Sequence, residues 1–343
     1  MSTHSASGPT HQHGHGNAHA PDQGPGRTDG HAHGPGHAQA HSRSHSPGHA
    51  HGHDHGHDHG TDIDWAAMAG QLEANGEIQL PLLRSTAARL GELLAGAGTR
   101  VRRVLDVGSG PGVMTCVLAE AFPEAEVVAV DGTPALLEHT LARAERLGLG
   151  DRVTTVHAEL PEGLDAMGAA DLIWSSKAVH HLGDQQAALD GLAALLRPGG
   201  VLAVAEAGLP MRFLPRDIGL GTPGLQARLD AALEYWFSVM RAELPGSTPV
   251  TEDWPAMLGR AGLGPVGAFT ALLDLPAPLA AQARAFLQDH LSRLRELGDS
   301  LDPEDGRTLA VLTDPEAEAG ILRRPDAFLL SASTVFTGVR PAR

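Results

Sequence analysis

The sequence has 343 residues and a formal net charge of −16 at neutral pH. An acidic balance of this size keeps a chain soluble, and it argues against a nucleic-acid-binding surface, which needs clustered Lys and Arg. The single cysteine, Cys116, excludes an internal disulfide and fits a reducing compartment. We find no apolar run long enough to span a membrane and no secretory signal, so we expect a cytoplasmic protein that does not bind membranes.

The first 60 residues differ in composition from the rest, because 16 of the 21 histidines fall there among Gly, Ala, Ser and Pro. Such a segment cannot bury enough apolar surface to fold, which predicts disorder. Neutral imidazoles are good ligands for Ni, Cu and Zn. We therefore predict divalent metal binding, either adventitious or with a specific role, and we do not expect it to be catalytic. The densest candidate ligands are His51, His53, His55, His57 and His59.

After the tail, helical patterns come first and strand patterns then alternate with helical ones. Two opening helices are predicted over 63–72 and 80–94. Strands are predicted over 101–107, 127–130, 153–157, 170–175 and 201–206. The helices between them are predicted over 112–121, 134–147 and 184–196.

Beyond residue 206 strand and helix patterns no longer alternate regularly, and most of the chain is predicted to be helical. Helices are predicted over 225–241, 254–261 and most of 278–324, and two further strands over 266–275 and 328–339. The early strands lack period-two alternation, which is typical of strands buried on both faces of a parallel sheet with helices on either side. We therefore predict an α/β protein with a doubly wound, mostly parallel seven-stranded sheet, whose ligands bind at the carboxyl ends of the strands.

A glycine-rich turn follows the first strand, in the run Asp106-Val107-Gly108-Ser109-Gly110-Pro111-Gly112. Glycines let a ligand approach the backbone, and the N–H groups that begin the next helix offer donors. This pattern predicts a nucleotide-like ligand. An oxidoreductase would be expected to carry Gly-x-Gly-x-x-Gly, whereas the third glycine here comes one position early and Val113 takes its place.

Four motifs in this order resemble those of the class I S-adenosylmethionine-dependent methyltransferase family, over about residues 101–339. They are 106–112, 129–133, 171–182 and 195–202. The resemblance implies a Rossmann-like fold, S-adenosylmethionine as cofactor, and in-line methyl transfer to a small-molecule acceptor. It also implies that the opening helices form a lid over the cofactor.

The resemblance assigns cofactor contacts to particular residues. Asp131 would accept hydrogen bonds from the ribose hydroxyls, and Gly108 and Gly110 would lie against the methionine part. Asp106 would either orient the turn or reach the cofactor ammonium through water. The full set is Asp106, Gly108, Ser109, Gly110, Gly112, Asp131, Gly132, Ala158, Glu159 and Ser175.

The adenine contacts, Ala158 and Glu159, follow strand three. His157 stands directly before them, where the family frequently has an acid. The details of adenine hydrogen bonding are therefore expected to depart from the family pattern.

The catalytic candidates are Lys177, His180 and His181, which follow strand four. Either histidine can take a proton from a hydroxyl or amine acceptor near neutral pH, or can simply pack under the cofactor. Lys177 is the only lysine in the chain. It can hold an acidic substrate group or steer the acceptor, or its position has no functional meaning. The aromatic run 235–237 either roofs the acceptor or packs onto the sheet.

We divide the chain into a His-rich tail (1–60), lid helices (61–98) and a methyltransferase domain (99–343) with helical inserts at about 207–250 and 278–324. The second insert predicts a cap or an oligomer contact, such as a homodimer. Two other functions stay open at this point. One is a metal-binding or metal-delivery protein on a methyltransferase-like scaffold, and the other is a nucleotide-cofactor oxidoreductase.

Overall fold

The computed structural model describes residues 65–342. The His-rich tail, with its candidate metal ligands from His51 to His59, lies outside the described residues. Strands of the described part are Arg103–Val107 (β1), Glu126–Asp131 (β2), Val153–His157 (β3), Ala170–Ser176 (β4), Leu196–Arg212 (β5), Val266–Leu275 (β6) and Leu329–Val339 (β7).

Helices flank these strands, and several end close to the predicted bounds, but the prediction that the first helix ends at residue 72 is wrong because it continues to Ile78. The helices are Trp65–Ile78 (α1), Leu80–Gly96 (α2), Val113–Ala121 (α3), Pro134–Arg146 (α4), Leu164–Met167 (α5), Gln185–Leu195 (α6), Leu225–Glu243 (α7), Trp254–Arg260 (α8), Ala281–Arg295 (α9) and Pro303–Thr313 (α10). Local signals explain several helix starts. Pro134 occupies the first turn of α4, and the Asp184 carboxylate caps α6 by accepting from the Ala187 N–H at 2.9 Å.

The strands form one sheet in the order β3-β2-β1-β4-β5-β7-β6. Strand β7 is antiparallel to both of its neighbours, and the remaining pairs are parallel. The prediction of a doubly wound, mostly parallel seven-stranded sheet is confirmed. The chain moves outward from β1 to β3 and then returns to place β4 beside β1. This reversal opens a crevice at the carboxyl ends of β1 and β4, where ligands bind in folds of this kind.

Successive residues of β1 point into two different cores. Val104 packs with α2 and α3 on one face of the sheet, and Leu105 packs with α6 and α8 on the other. This explains why the strand reads as a continuous apolar run. A third core joins α9, α10 and the start of α7, and it includes Phe213 and Leu287.

The prediction that strand five ends at residue 206 is wrong, because β5 continues to Arg212 by pairing with β7. The residues of this extension are mostly exposed, so they lack the apolar signal of a buried strand. Gly208 is required there, since a Cβ would lie 2.0 Å from the Ala332 carbonyl oxygen. No helix within residues 65–342 is both long and apolar enough to cross a membrane.

Candidate active site

The glycine turn after β1 uses its three glycines in different ways. Gly108, Gly110 and Gly112 have φ angles of 72°, 54° and 75°, in the left-handed region that favours glycine. A Cβ on Gly108 would lie 2.5 Å from that of Ala178, and one on Gly112 would lie 2.4 Å from the Thr140 methyl. A Cβ on Gly110 would meet no atom within 4 Å. Gly108 and Gly112 therefore serve the packing of the protein, while Gly110 leaves open space beside the backbone.

Asp131, at the end of β2, holds this turn in place. Its Oδ2 accepts from the Gly110 N–H and its Oδ1 from the Thr133 N–H, both at 2.9 Å. The Gly108 and Ser109 N–H groups donate to the Val130 carbonyl at 2.9 and 3.1 Å. Each carboxylate oxygen can accept a further hydrogen bond, and Asp131 is partly exposed. The carboxylate can thus shape the turn and bind a hydroxyl-bearing ligand.

Asp106 acts from beneath the turn. It is buried, and its Oδ2 accepts from the Thr115 hydroxyl of α3 at 2.6 Å. Burial raises the pKa of this carboxyl to about 7, the Thr115 hydrogen bond lowers it, and the charge of Asp131 raises it further. Asp106 therefore joins β1 to α3, and a nearby cation would favour its ionised form.

The ends of β2 and β3 bring together the predicted adenine contacts. The ring Nε2 of His157 lies 3.0 Å from the Gly132 carbonyl oxygen and donates to it. The Ala158 N–H donates to the Asp131 carbonyl at 3.1 Å. A Cβ on Gly132 would lie 3.0 Å from the Glu159 side chain. His157, which stands where the family frequently has an acid, thus fixes the backbone directly after β2.

Ser175 differs from the other predicted cofactor residues. It lies one residue before the end of β4, paired with Val107, and it is fully buried. Its Oγ has no hydrogen-bond partner in the described part of the chain. The structure therefore gives this hydroxyl no accessible surface at which to meet a ligand.

A buried carboxylate, Glu206 of β5, organises the loop after β4. Its Oε1 accepts from the N–H groups of Ala178 and Val179 at 2.9 and 2.8 Å, and its Oε2 accepts from His180 Nδ1 at 2.6 Å. The Glu206 side chain has no exposed surface. Sequence reasoning missed this residue, although an acid that ends an apolar strand is the signal that identified Asp131.

His180 and His181 form a chain with Glu206. The two Nε2 atoms are 3.1 Å apart. Because Nδ1 of His180 donates to Glu206, its Nε2 is assigned as the acceptor of the Nε2–H of His181 in the neutral pair. Burial first, and then the charges of His180 and Arg241, lower the pKa of His181 to about 4 against the opposing effect of Glu206. His181 is therefore a neutral imidazole and a weak base at neutral pH.

Helices α1 and α7 cover this chain of side chains. The rings of Trp65 and His181 lie edge to face at 5.9 Å, and those of Phe237 and His180 at 5.3 Å. Arg241 of α7 donates to the His180 and Leu182 carbonyls, both at 2.6 Å.

The aromatic residues of α7 do not all face the same way. Phe237 faces the site through His180, whereas Tyr235 is 66% exposed. For Tyr235 the alternative of packing onto the sheet is wrong, and the alternative of roofing the acceptor stays a prediction. Its position on the outer face of α7 leaves it in solvent.

Helix α1 also reaches the glycine turn. A Cβ on Gly76 would lie 2.6 Å from the Val113 side chain at the start of α3. Arg143 of α4 holds the same helix through Glu73 at 2.9 Å and Glu77 at 2.5 Å. The second half of α1 is thus fixed against α3 and α4.

Lys177 lies between the glycine turn and β5. Its φ angle of 52° is the only positive one of a non-glycine residue in the described chain. Its N–H donates to the Ala205 carbonyl at 3.2 Å. Burial lowers the pKa of its ammonium against the opposing effect of Glu206, yet the side chain is accessible to solvent. Lys177 therefore lies at an accessible position directly after β4.

A depression of about 440 Å³ lies at the opposite, amino-terminal edge of the sheet. Two of its arginines are paired with acids of its own lining, since Arg197 meets Asp171 at 2.9 Å and Arg103 meets Glu126 at 3.2 Å. It is far from the carboxyl ends of the strands, so we do not assign it to the chemistry.

Several known proteins resemble this chain. A methyltransferase-domain family model matches residues 104–200. The trans-aconitate 2-methyltransferase of Methylobacterium radiotolerans is 32% identical over 237 residues, which are 67% of this chain and 79% of that protein. The corresponding protein of Methylobacterium nodulans is 30% identical over 222 residues, 60% of this chain and 82% of its own. The crystal structure of YcgJ from Bacillus subtilis is 18% identical, covers 76% of this chain and all of its own, and gives a TM-score of 0.42.

The sheet order and the glycine turn define a nucleotide-binding domain of the doubly wound type. With the extended similarity to the Methylobacterium radiotolerans protein, the chain belongs to the class I S-adenosylmethionine-dependent methyltransferase family. The resemblance found in the sequence is therefore confirmed.

The residues present fit this cofactor. The open space beside Gly110 admits a ligand against the backbone, and Asp131 keeps acceptor capacity next to it.

Proposed function

We propose that this chain transfers the methyl group of S-adenosylmethionine to a small-molecule acceptor by in-line displacement. The observation that carries the proposal is the joining of the glycine turn to Asp131 by the Gly110 N–H. The bound cofactor supplies an activated sulfonium methyl, so the protein chiefly has to align it with a nucleophile.

The cofactor would be held mainly by backbone and by one carboxylate. Asp131 would accept from the ribose hydroxyls, the Gly108 and Gly110 backbone would lie against the methionine part, and Ala158 and Glu159 would lie near adenine. Asp106 would act through its charge from below the turn, because it is buried and its Oδ2 already accepts from the Thr115 hydroxyl.

We further propose that His180 and His181 position the loop and the lid. Both ring nitrogens of His180 are engaged, and the low pKa of His181 makes it a poor general base. This arrangement favours an acceptor that reacts without giving a proton to either histidine. The two Methylobacterium relatives are named for trans-aconitate, so this compound is the first acceptor to test.

Titration calorimetry with S-adenosylhomocysteine, NAD and Ni(II) tests the proposal. We expect S-adenosylhomocysteine to bind and NAD not to bind. A folded sample that does not bind S-adenosylhomocysteine would overturn the proposal. Labelled cofactor with trans-aconitate and a panel of other small molecules then identifies the acceptor.

The metal-delivery alternative gains no support from the described chain. Within residues 65–342 no group of three or more His, Cys, Asp or Glu side chains is arranged to hold a metal ion. The tail remains a predicted metal binder, and deletion of residues 1–60 should leave turnover unchanged with or without chelator. The domain limits, the cytoplasmic location and the homodimer likewise remain predictions.

A further inference from the structure

The depression at the amino-terminal edge of the sheet carries an excess of positive charge. Its lining consists of four arginines and two acids, which are Arg100, Arg102, Arg103, Arg197, Glu126 and Asp171. The lining therefore has two more positive than negative side chains, in a chain whose formal net charge is −16. Its volume of about 440 Å³ lies within the range of small-molecule pockets, about 300–1,000 Å³. An acidic protein thus presents a positively charged cavity away from its glycine turn.

Asp171, near the start of β4, brings three of these arginines together. It is buried, and its Oδ2 accepts from the backbone N–H groups of Arg102 and Arg103 at 2.8 and 2.9 Å. The same oxygen accepts from Nη1 of Arg197 at 2.9 Å. One carboxylate oxygen therefore holds the backbone that carries two arginines and the side chain of a third.

The guanidinium of Arg103 is fixed by the backbone as well as by an acid. Its Nε donates to Glu126 Oε2 at 3.2 Å, and its Nη1 donates to the Met167 and Ala169 carbonyls at 2.6 and 3.3 Å. Gly168 gives this group room, because a Cβ there would lie 3.2 Å from Nη1. A ligand would therefore meet a preorganised guanidinium and would not have to order it.

Arg102 differs from the other arginines of the lining, because its charge has no partner. Its backbone N–H is bound by Asp171, but its side chain makes no ion pair or hydrogen bond within residues 65–342. Arg100 pairs with Glu124 at 2.7 Å, yet both side chains are about two-thirds exposed, and such a pair contributes little. The two positive charges in excess are therefore left to solvent or to an anionic ligand.

We propose that this depression binds a phosphate group, either of inorganic phosphate or of a small phosphomonoester, through Arg102, Arg103 and Arg197. Guanidinium groups match phosphate oxygens with pairs of parallel N–H groups. A phosphate group carries about 1.5 to 2 negative charges at neutral pH, which balances the positive excess of the lining. The depression lies at the opposite edge of the sheet from the glycine turn, so the inference does not depend on the proposed methyl transfer.

Calorimetry on the metal-free full-length protein tests the proposal with inorganic phosphate, glycerol 3-phosphate and the dicarboxylate succinate at equal ionic strength. A pH of about 8 keeps the histidines of the tail neutral, since the unperturbed pKa of imidazole is about 6.5. We expect saturable binding of one or both phosphates and at least fivefold weaker binding of succinate. Tighter binding of inorganic phosphate would identify the free anion as the ligand, and tighter binding of glycerol 3-phosphate would identify an organic phosphate.

Two substitutions should change the affinity in opposite directions. Arg102→Gln removes the unpaired charge and no contact of the described chain, so phosphate binding should weaken about tenfold, or ~1.4 kcal/mol. Glu126→Gln removes one negative charge from the lining and keeps an oxygen that can accept from Thr154, as Oε1 does at 3.3 Å. Phosphate binding should therefore tighten about threefold in this variant.

Arg307→Gln is the matched control, because Arg307 is exposed on α10 and lies outside the lining. It removes the same charge and should leave phosphate binding unchanged. An equal loss in this control would mean general attraction of anions and would overturn the site. So would the absence of saturable phosphate binding, succinate binding as tight as phosphate, or an affinity that does not rise in Glu126→Gln.

Discussion

One side of the cleft is formed mainly by backbone groups, and the other is formed mainly by side chains. On the cofactor side, backbone groups such as the Gly110 N–H and the Val130 carbonyl form the surface, with Asp131 as a central carboxylate. On the acceptor side, ring side chains such as His180 and Phe237 form it, and the buried Glu206 carboxylate fixes His180 from behind. A backbone surface can be kept by glycines alone, whereas a side-chain surface changes with each substitution. One side therefore suits a constant ligand and the other a variable one.

The largest expected effect lies at the carboxylate of the cofactor side. Asp131→Ala should weaken S-adenosylhomocysteine binding about 100-fold, or ~3 kcal/mol, because charge-assisted hydrogen bonds contribute about 1.5–3 kcal/mol each. The substitution also frees the Gly110 N–H, so the turn loses its anchor. Calorimetry measures the affinity, and thermal unfolding shows whether the fold survives. An unchanged affinity would contradict the assignment of this residue.

On the acceptor side, Glu206→Gln should act on turnover more than on cofactor binding. The amide oxygen can still accept from the Ala178 and Val179 N–H groups. Its NH₂ group, however, faces His180 Nδ1 and forces that nitrogen to become an acceptor, which reverses the hydrogen bond to His181. We expect turnover to fall about tenfold, or ~1.4 kcal/mol, with little change in affinity for S-adenosylhomocysteine.

Histidine nitrogen chemical shifts supply the second readout for this variant. The tautomer of His180 should reverse relative to wild type. An unaltered tautomer would show that Glu206 does not control the pair. An unaltered turnover would show that the pair does not matter for catalysis.

A smaller effect is expected from Asp106, which should make the affinity for S-adenosylhomocysteine depend on pH. Its pKa in the folded protein is raised to about 7, chiefly by burial. A cationic ammonium favours the carboxylate, so binding of S-adenosylhomocysteine should tighten as pH rises through 7, by about fivefold, and then level off. Binding should release protons near pH 7, as calorimetry in buffers of different ionisation enthalpy measures. Asp106→Asn should abolish both effects.

The raised pKa of Asp106 makes folding stability change with pH in the opposite direction from cofactor binding. A carboxyl whose folded pKa is raised binds more protons in the folded than in the unfolded chain between about pH 4 and pH 7. Its contribution to stability is therefore lost as pH rises across that range. Wild type should lose more unfolding free energy from pH 5 to pH 7 than Asp106→Asn does.

The contrast between the two sides also decides what could be predicted from sequence. The turn at 106–112 and Asp131 lie close together in the chain, and their spacing follows from strand and helix periods. His180 and Phe237 are more than fifty residues apart, and only the packing of α7 over the site brings their rings within 5.3 Å. Periodicity predicts α7 as a helix but does not say over which strand end it lies.

Some signals were present but not used. Glu206 ends the buried apolar part of β5 much as Asp131 ends β2, although β5 itself continues to Arg212. The exposed Tyr235 shows the opposite case, because its rarity in the chain indicates nothing about its direction. Helix phase relative to the cleft is set by tertiary packing, which the sequence pattern does not contain.

The smallest expected effect tests whether the lid serves the cofactor side. Arg143 of α4 is nearly buried and pairs with Glu73 and Glu77 of α1. Arg143→Met keeps the packing of the stem but removes these pairs, which should loosen α1 over the crevice. We expect S-adenosylhomocysteine to dissociate about threefold faster, equivalent to ~0.7 kcal/mol, as stopped-flow fluorescence of the tryptophans measures.

Arg89→Met is the control, because it removes an exposed pair with Glu92 on α2 that contributes little. Equal effects in both variants would mean that the lid is held by apolar packing such as that of Gly76 against Val113, and not by charge.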